Sequence, residues 1–156
     1  MIFLKRVTCL LLASLLLTAC ATTAPVGNTD YMQSSQYQGP TNLGVRYLLG
    51  RGVQQSDTKA FSYFIIAADD DDAFAQNEVA YMYAAGKGTS QNYAKAFEYY
   101  QKAANHGLAS AQYNLGLLYM NGLGTAQNRE QAMQWFQKSA ASGFEPAKRA
   151  LTQYAS

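Results

Sequence analysis

The sequence predicts an all-α solenoid built from three helical hairpins and a closing helix. Three observations predict this fold class. The residues from about position 39 onward repeat with a period of 36, apolar residues within each copy recur at spacings of three and four, and glycine pairs or helix-capping residues separate the helices. One hairpin cannot bury its apolar face alone, so we expect each copy to stack on its neighbours.

The N-terminus has the pattern of a secretory leader. Residues 1–6 end in two cations, and residues 7–17 are almost wholly apolar but too short to span about 30 Å of hydrocarbon permanently. The leader ends with Leu17, Thr18, Ala19 and Cys20. This tetrapeptide resembles the lipobox of bacterial lipoproteins, which implies a signal peptide of residues 1–19, a lipid on Cys20 and, because alanine follows, an outer-membrane address. Cleavage by the ordinary peptidase, leaving Cys20 free, is the alternative.

Residues 20–38 are polar, rich in Thr, Ser and Gln, and lack helical or strand periodicity. We interpret this segment as a flexible tether between the lipid-bearing cysteine and the repeat domain, residues 39–156. Cys9 lies in the leader, so no cysteine is left in the domain for a disulfide or a metal site.

The three copies match one another without insertion or deletion. Their first-helix segments begin at Leu43, Val79 and Leu115, and their second-helix segments begin at Lys59, Lys95 and Gln131. We expect the copies to occupy residues 39–74, 75–110 and 111–146, with a closing helix at 147–156.

Each copy also carries signals for the ends of its helices. In the third copy Ala111, Leu115 and Leu118 share one helical face, and Gly122 and Gly124 then end the helix. The expected N-caps of the second helices are Ser56, Asn92 and Asn128. Their expected core residues alternate small and aromatic side chains: Ala60, Phe64 and Ala68, then Ala96, Tyr100 and Ala104, then Ala132, Phe136 and Ala140.

These motifs resemble the Sel-one-like repeat family, a relative of the tetratricopeptide repeats. The shared pattern is a small residue, Leu-Gly, Tyr, Gly-x-Gly, an N-cap, Lys-Ala, an aromatic residue and Ala-Ala, and it covers about residues 39–156. The resemblance implies a right-handed superhelix that acts as an interaction scaffold, in bacteria often in envelope assemblies, secretion machinery or host contact. Cysteine-rich members staple each repeat with a disulfide, and penicillin binding has been associated with some of them. This domain lacks those cysteines.

The charge balance gives no sign of nucleic-acid binding. The chain has 12 Lys plus Arg and 10 Asp plus Glu. This excess of positive charge disappears once Lys5 and Arg6 of the leader are set aside. The Gly-x-Gly pairs follow helices rather than strands, which favours turns over phosphate loops. Residues 56–59 spell the SxxK motif of penicillin-recognising enzymes, but the KTG and SDN partners are absent and Ser56 occupies a cap position.

Two further features of the sequence are candidate sites. His106 is the only histidine, which disfavours a transition-metal site or a catalytic triad, so we expect no metal and no cofactor. Residues Asp69, Asp70, Asp71 and Asp72 place four carboxylates at a helix end. A solvated loop is the favoured interpretation, and a weak calcium site or a contact for a basic partner stays open.

The strongest functional prediction is a groove along the first helices. Positions opposite the core stripe hold Thr41, Val45 and Leu48, then Asn77, Tyr81 and Ala84, then Tyr113, Leu117 and Met120, with Arg46 and Asn114 at the edge. A partly apolar stripe outside the core is typical of partner binding, although packing between copies explains it equally well.

We therefore expect a non-enzymatic, outer-membrane-anchored adaptor that faces the periplasm and binds a peptide or protein segment of the envelope, with neither nucleic acid nor a small-molecule substrate. The alternatives are a surface-exposed lipoprotein that contacts host molecules and, less favoured, an enzyme acting on β-lactams or peptidoglycan through Ser56.

Overall fold

A computed structural model describes residues 39–154 of the chain. Within this range lie seven α-helices and no β-strand. The helices are α1 Pro40–Leu49, α2 Asp57–Asp69, α3 Ala73–Ala85, α4 Tyr93–Asn105, α5 Ala109–Asn121, α6 Arg129–Ala141 and α7 Glu145–Tyr154. No described helix has the length and apolarity needed to cross a bilayer.

The helices pack chiefly against their neighbours in sequence. Helices α1 and α2, α3 and α4, and α5 and α6 form three hairpins, and α7 packs on α6 at the C-terminal end. Successive hairpins meet where α2 contacts α3 and where α4 contacts α5. The predicted α/α repeat solenoid is therefore confirmed, and its core runs along the stack.

The core holds the predicted alternation of small and aromatic side chains. Phe64, Tyr100 and Phe136 occupy the same position in the three second helices, and all three are buried. Only Ala140, among the predicted core residues of these helices, is half-buried. Gly116 shows how closely the helices approach, since a Cβ atom there would lie 2.6 Å from the Phe136 ring. Dense packing of small against large residues holds each hairpin together.

The helix ends follow the predicted chemistry. The side chains of Ser56, Asn92 and Asn128 each accept a hydrogen bond from the backbone amide three residues later, at 3.0–3.3 Å. These bonds satisfy one of the amides that the first turn of a helix leaves free. Gly88 serves a different purpose: a Cβ atom there would lie 2.3 Å from the carbonyl oxygen of Asp57 in the preceding copy. Stacking of the copies thus requires glycine at that position.

The helices begin slightly earlier than the repeat boundaries drawn from the sequence. Helices α3, α5 and α7 start at positions 73, 109 and 145, two residues before the expected copy boundaries at 75, 111 and 147. At α3 the cause is Asp72, whose side chain accepts hydrogen bonds from the amides of Phe74 and Ala75 and so caps the helix. The first helix is shorter than α3 and α5, with 10 rather than 13 residues, because it starts at Pro40.

Candidate functional site

One opening in the described part of the chain lies between the first helices of the second and third hairpins. This α3–α5 cleft has a volume of about 310 Å³. Its lining residues are Tyr81, Ala84 and Ala85 of α3, Tyr93 and Tyr100 of α4, Asn114, Leu117, Leu118 and Asn121 of α5, and Leu123 of the following loop.

The helical period places these side chains. On α3, Val79, Ala80 and Met82 point into the core, which leaves Tyr81 on the opposite side with 48% of its surface exposed. On α5, Leu115 is buried in the same manner, so that Leu117 faces the cleft. Helix α4 lies behind both helices and contributes Tyr100, which is only 4% exposed yet lines the cleft.

Glu78 and Tyr100 have pKa values above the ordinary values of their side chains. Burial raises the pKa of Glu78, and a hydrogen bond of 3.1 Å from the Asn77 side chain lowers it in part. Burial also raises the pKa of the Tyr100 phenol, and the charges of Glu78 and Tyr81 raise it further. Tyr81 and Tyr100 both line the cleft, and Glu78 precedes Tyr81 by three residues on α3.

A second opening lies between α5 and α7. This α5–α7 cleft measures about 220 Å³ and is lined by Tyr113, Pro146, Arg149, Ala150, Gln153 and Tyr154. The Tyr113 ring lies with its centroid 5.6 Å from those of both Phe136 and Phe144. Tyr113 therefore supports the last hairpin as well as lining the opening.

The structure divides the predicted groove. It brings Tyr81, Asn114 and Leu117 together in the α3–α5 cleft and places Tyr113 in the α5–α7 cleft. Met120 packs against the C-terminal core cluster. In the first hairpin Val45 and Leu48 pack on the main core.

Two more predicted groove positions have structural partners. Asn77 is only 8% exposed. The Arg46 side chain donates a hydrogen bond of 3.2 Å to the carbonyl oxygen of Arg51, inside its own hairpin. Packing within the fold thus accounts for many of the predicted positions, and the open residues are concentrated around Tyr81.

Sequence reasoning did not place six of the residues that line the cleft in the groove, namely Ala85, Tyr93, Tyr100, Leu118, Asn121 and Leu123. Tyr100 was assigned to the core because phenylalanine occupies its position in the other two copies. That difference was the available signal, since it adds one hydroxyl group to the middle copy alone.

Structural contacts explain two of the four consecutive aspartates at positions 69–72. Asp72 accepts hydrogen bonds from two backbone amides and one of 2.6 Å from the Thr41 hydroxyl. Asp71 accepts one from the Gln76 side chain at 3.3 Å and lies 4.0 Å from the imidazole of His106. Asp71 also has a φ of 61°, at the position where the later copies carry glycine. Two of the four carboxylates thus hold the connection between hairpins.

Residues 39–154 contain no group of three or more His, Cys, Asp or Glu side chains arranged to hold a metal ion. Ser56 lies at the N-cap of α2, where its hydroxyl oxygen accepts a backbone bond. The lipobox residues Leu17, Thr18, Ala19 and Cys20 lie outside the described residues.

The repeats match a known family. The Sel1 repeat pattern matches residues 41–72, 73–108 and 109–144, two thirds of the chain. The chain belongs to the Sel1 repeat family. Its repeats begin where α3 and α5 begin, and proteins of this fold generally serve as protein–protein interaction scaffolds, typically without catalytic activity.

Solved structures agree with this assignment. A Sel1 repeat protein from Oxalobacter formigenes is 38% identical, with a TM-score of 0.69 over 74% of this chain and 86% of that one. Protein c5321, a protective antigen of uropathogenic Escherichia coli with an SLR fold, is 31% identical, with a TM-score of 0.66 over 67% of this chain and 22% of its own. Cysteine-rich protein B of Helicobacter pylori is 25% identical, with a TM-score of 0.66 over 80% of this chain and 97% of its own. No functionally curated protein matches the chain.

Proposed function

We propose that this Sel1 repeat protein is a non-enzymatic adaptor that holds a peptide or protein segment in the α3–α5 cleft and thereby helps to assemble or localise an envelope complex. The observation that carries the proposal is the exposed Tyr81 ring beside Leu117 in an open, partly apolar cleft. An exposed aromatic residue next to such a cleft is typical of a binding anchor. The general role of the family supports the same conclusion.

The mechanism is preorganisation. Tyr81 and Leu117 lie on 13-residue helices whose opposite faces are buried in the core. Asn114, one turn before Leu117, adds an amide that can bond to the backbone of a bound segment. Because these groups are held by packed helices, little conformational entropy is left to lose when the segment binds.

The leader and the Leu17–Cys20 lipobox support a place in the envelope. The adaptor would be anchored to the outer membrane by the lipid on Cys20 and would face the periplasm. Membrane fractionation tests the anchor: Cys20→Ser is expected to release the protein from the membrane fraction, whereas Cys9→Ser, in the leader, is expected to leave it there. Equal partitioning of the two variants would argue against the lipid anchor.

Affinity capture tests the binding role. Cells are crosslinked, their envelopes are solubilised in detergent, and partners are compared among the wild type, Tyr81→Lys and Ile66→Lys. Ile66 is the matched control because it is equally exposed, at 50%, but lies on α2 away from the lining of the cleft. We expect Tyr81→Lys to lose a partner that Ile66→Lys retains. Identical partners for all three proteins would refute the cleft as the binding site.

A second candidate function is contact with host molecules from the cell surface. The observation in its favour is the similarity to c5321, which is described as a protective antigen. The two functions differ in the accessibility of the domain. Protease added to intact cells would digest a surface-exposed domain and would leave a periplasm-facing domain intact until the outer membrane is permeabilised.

A further inference from the structure

The α5–α7 cleft presents hydrogen-bond donors from both of its walls. Arg149 and Gln153 line it from α7, and the phenols of Tyr113 and Tyr154 line it as well. A guanidinium, a side-chain amide and a phenol can all donate, and the guanidinium carries a permanent positive charge. No aspartate or glutamate is among the described residues that line this cleft. The lining therefore suits an anionic group.

The one acidic side chain of α7 has a different cationic partner. Glu145 lies one turn before Arg149, but its carboxylate contacts the Lys148 ammonium at 2.6 Å. The hydrogen bond and the charge of Lys148 are the main causes of the lowered pKa of Glu145, to which Arg149 contributes less. Of the two cations on α7, Arg149 is therefore the one that is available to a ligand in the cleft.

Packing fixes the helix that carries the two donors. Arg149 and Gln153 are four residues apart and share one face of α7, whereas Ala147 on its inner side is fully buried. The Tyr154 ring stacks on the Phe136 ring of α6, with centroids 6.1 Å apart and ring planes at 12°. Because α6 supports α7 in this way, the donors are attached to a rigid wall of the cleft.

The repeat register connects this cleft with the α3–α5 cleft. Arg149 occupies the position that Tyr113 has in the preceding copy, and Gln153 occupies the position of Leu117. Helix α5 is a wall of both clefts, since Leu117 and Asn114 line the α3–α5 cleft and Tyr113 lines the α5–α7 cleft. The clefts are thus neighbours along one row of first helices, and a segment bound across α5 can reach both.

We propose that the α5–α7 cleft binds the carboxylate of an aspartate or glutamate in the segment that the adaptor holds, with Arg149 as its counter-ion and Gln153 beside it. The inference rests on the proposed function, because the acidic side chain belongs to the segment that is anchored at Tyr81. Arginine makes short, charge-assisted hydrogen bonds to a carboxylate, frequently two in parallel. The rings of Tyr113 and Tyr154 would pack against the aliphatic part of the acidic side chain.

The probe for the test is a displayed library of random dodecapeptides, selected on the full-length chain in detergent micelles. Enriched sequences are synthesised with acetylated and amidated ends, so that side chains supply their only carboxylates, and dissociation constants are measured by fluorescence anisotropy. We expect enriched peptides to share an Asp or Glu at one position. Replacing that residue by Asn or Gln is expected to weaken binding about three- to tenfold at low salt, and less at about 1 M salt.

Two neighbouring charge substitutions on α7 then assign the effect to one side chain. With Arg149→Gln the same peptide replacement should change the dissociation constant by less than about twofold, because the counter-ion is gone. Lys148→Gln is the matched control, since it removes the same charge from the next residue of the same helix, which does not line the cleft. This control should respond to the peptide replacement as the wild type does. Both positions are exposed, and circular dichroism checks that both variants are folded.

The outcomes separate this inference from the proposed function. Peptides that bind the wild type, fail to bind Tyr81→Lys and share no acidic position would leave the adaptor role standing and overturn the inference. An acidic preference that persists in Arg149→Gln, or that disappears equally in Lys148→Gln, would overturn it as well. An acidic preference that requires Arg149 but not Tyr81 would support the carboxylate site and refute the α3–α5 cleft as the anchor. Failure of every peptide to bind would overturn both.

Discussion

Phe61 on α2 and Tyr83 on α3 pack edge to face, with ring centroids 5.1 Å apart and ring planes at 84°. The same contact recurs one copy later between Phe97 on α4 and Tyr119 on α5, at 5.2 Å and 83°. Each pair joins the second helix of one hairpin to the first helix of the next. The aromatic contacts therefore couple the copies, and the Phe97–Tyr119 pair packs α5, one wall of the α3–α5 cleft, against α4.

Removing one of these contacts should weaken the whole stack. We expect Phe97→Ala to lower the free energy of unfolding by about 2–3 kcal/mol, somewhat less than the loss for a fully buried phenylalanine, because Phe97 is only partly buried. Urea denaturation followed by circular dichroism measures the loss. Ile66→Ala is the control, expected to change stability by at most about 0.5 kcal/mol at its exposed position. Equal effects of the two substitutions would show that the Phe97–Tyr119 contact does not couple the hairpins.

A substitution at Gly116 tests how closely α5 and α6 approach each other in the third hairpin. Gly116→Ala would place a Cβ atom 2.6–2.7 Å from atoms of the buried Phe136 ring. Overpacking of this kind costs about 1–3 kcal/mol, which outweighs the gain of about 1 kcal/mol in helix propensity. We expect a lower melting temperature for Gly116→Ala and little change for Gln137→Ala, which lies at an exposed position of α6. A rise in melting temperature for Gly116→Ala would contradict the packing seen here.

Glu78 should make stability depend on pH. Because burial raises its pKa, the folded protein holds this proton more tightly than the unfolded chain does. At low pH both states are protonated and the group has no effect. As the pH rises through the ordinary pKa of a glutamate, the unfolded chain ionises first and the folded state loses stability, until the folded carboxyl ionises too.

The expected result is that Glu78→Gln becomes more stable relative to the wild type as the pH rises. Glutamine keeps an oxygen that can accept the hydrogen bond from Asn77, so the substitution removes mainly the charge. Urea denaturation of both proteins at about pH 3 and about pH 7 brackets the range in which a glutamate titrates. A stability difference that is the same at both pH values, or that favours the wild type more at neutral pH, would contradict the burial of this carboxyl.

The sequence was sufficient to predict the hairpins, because the signals that define them are local. The side chains of Ser56, Asn92 and Asn128 cap the first turn of their own helices. The 36-residue period then aligns the core positions of the three copies with one another. The starts of α3, α5 and α7 differed by two residues from the repeat boundaries drawn from the sequence. A repeat fixes the period of a pattern but not the residue at which a copy begins, and at α3 that residue is set by the Asp72 cap.

The site was less predictable because it depends on contacts between elements. Tyr113 was expected in one continuous groove, but its ring packs on Phe144 from the connection between α6 and α7, which the first-helix pattern does not include. Tyr100 is a core residue by periodicity, and its role at the cleft depends on where α4 lies behind α3 and α5. Tyr81 was identified correctly as an outward-facing residue because that inference needed only the period of α3.

Site-specific photocrosslinking in living cells tests the central claim most directly. The photoreactive amino acid p-benzoylphenylalanine replaces Tyr81 in one strain and Ile66 in another, both positions being about half exposed. We predict a light-dependent adduct of one defined mass from position 81 and none of that mass from position 66. No adduct from position 81, or the same adduct from both positions, would contradict the claim that the α3–α5 cleft holds a partner segment.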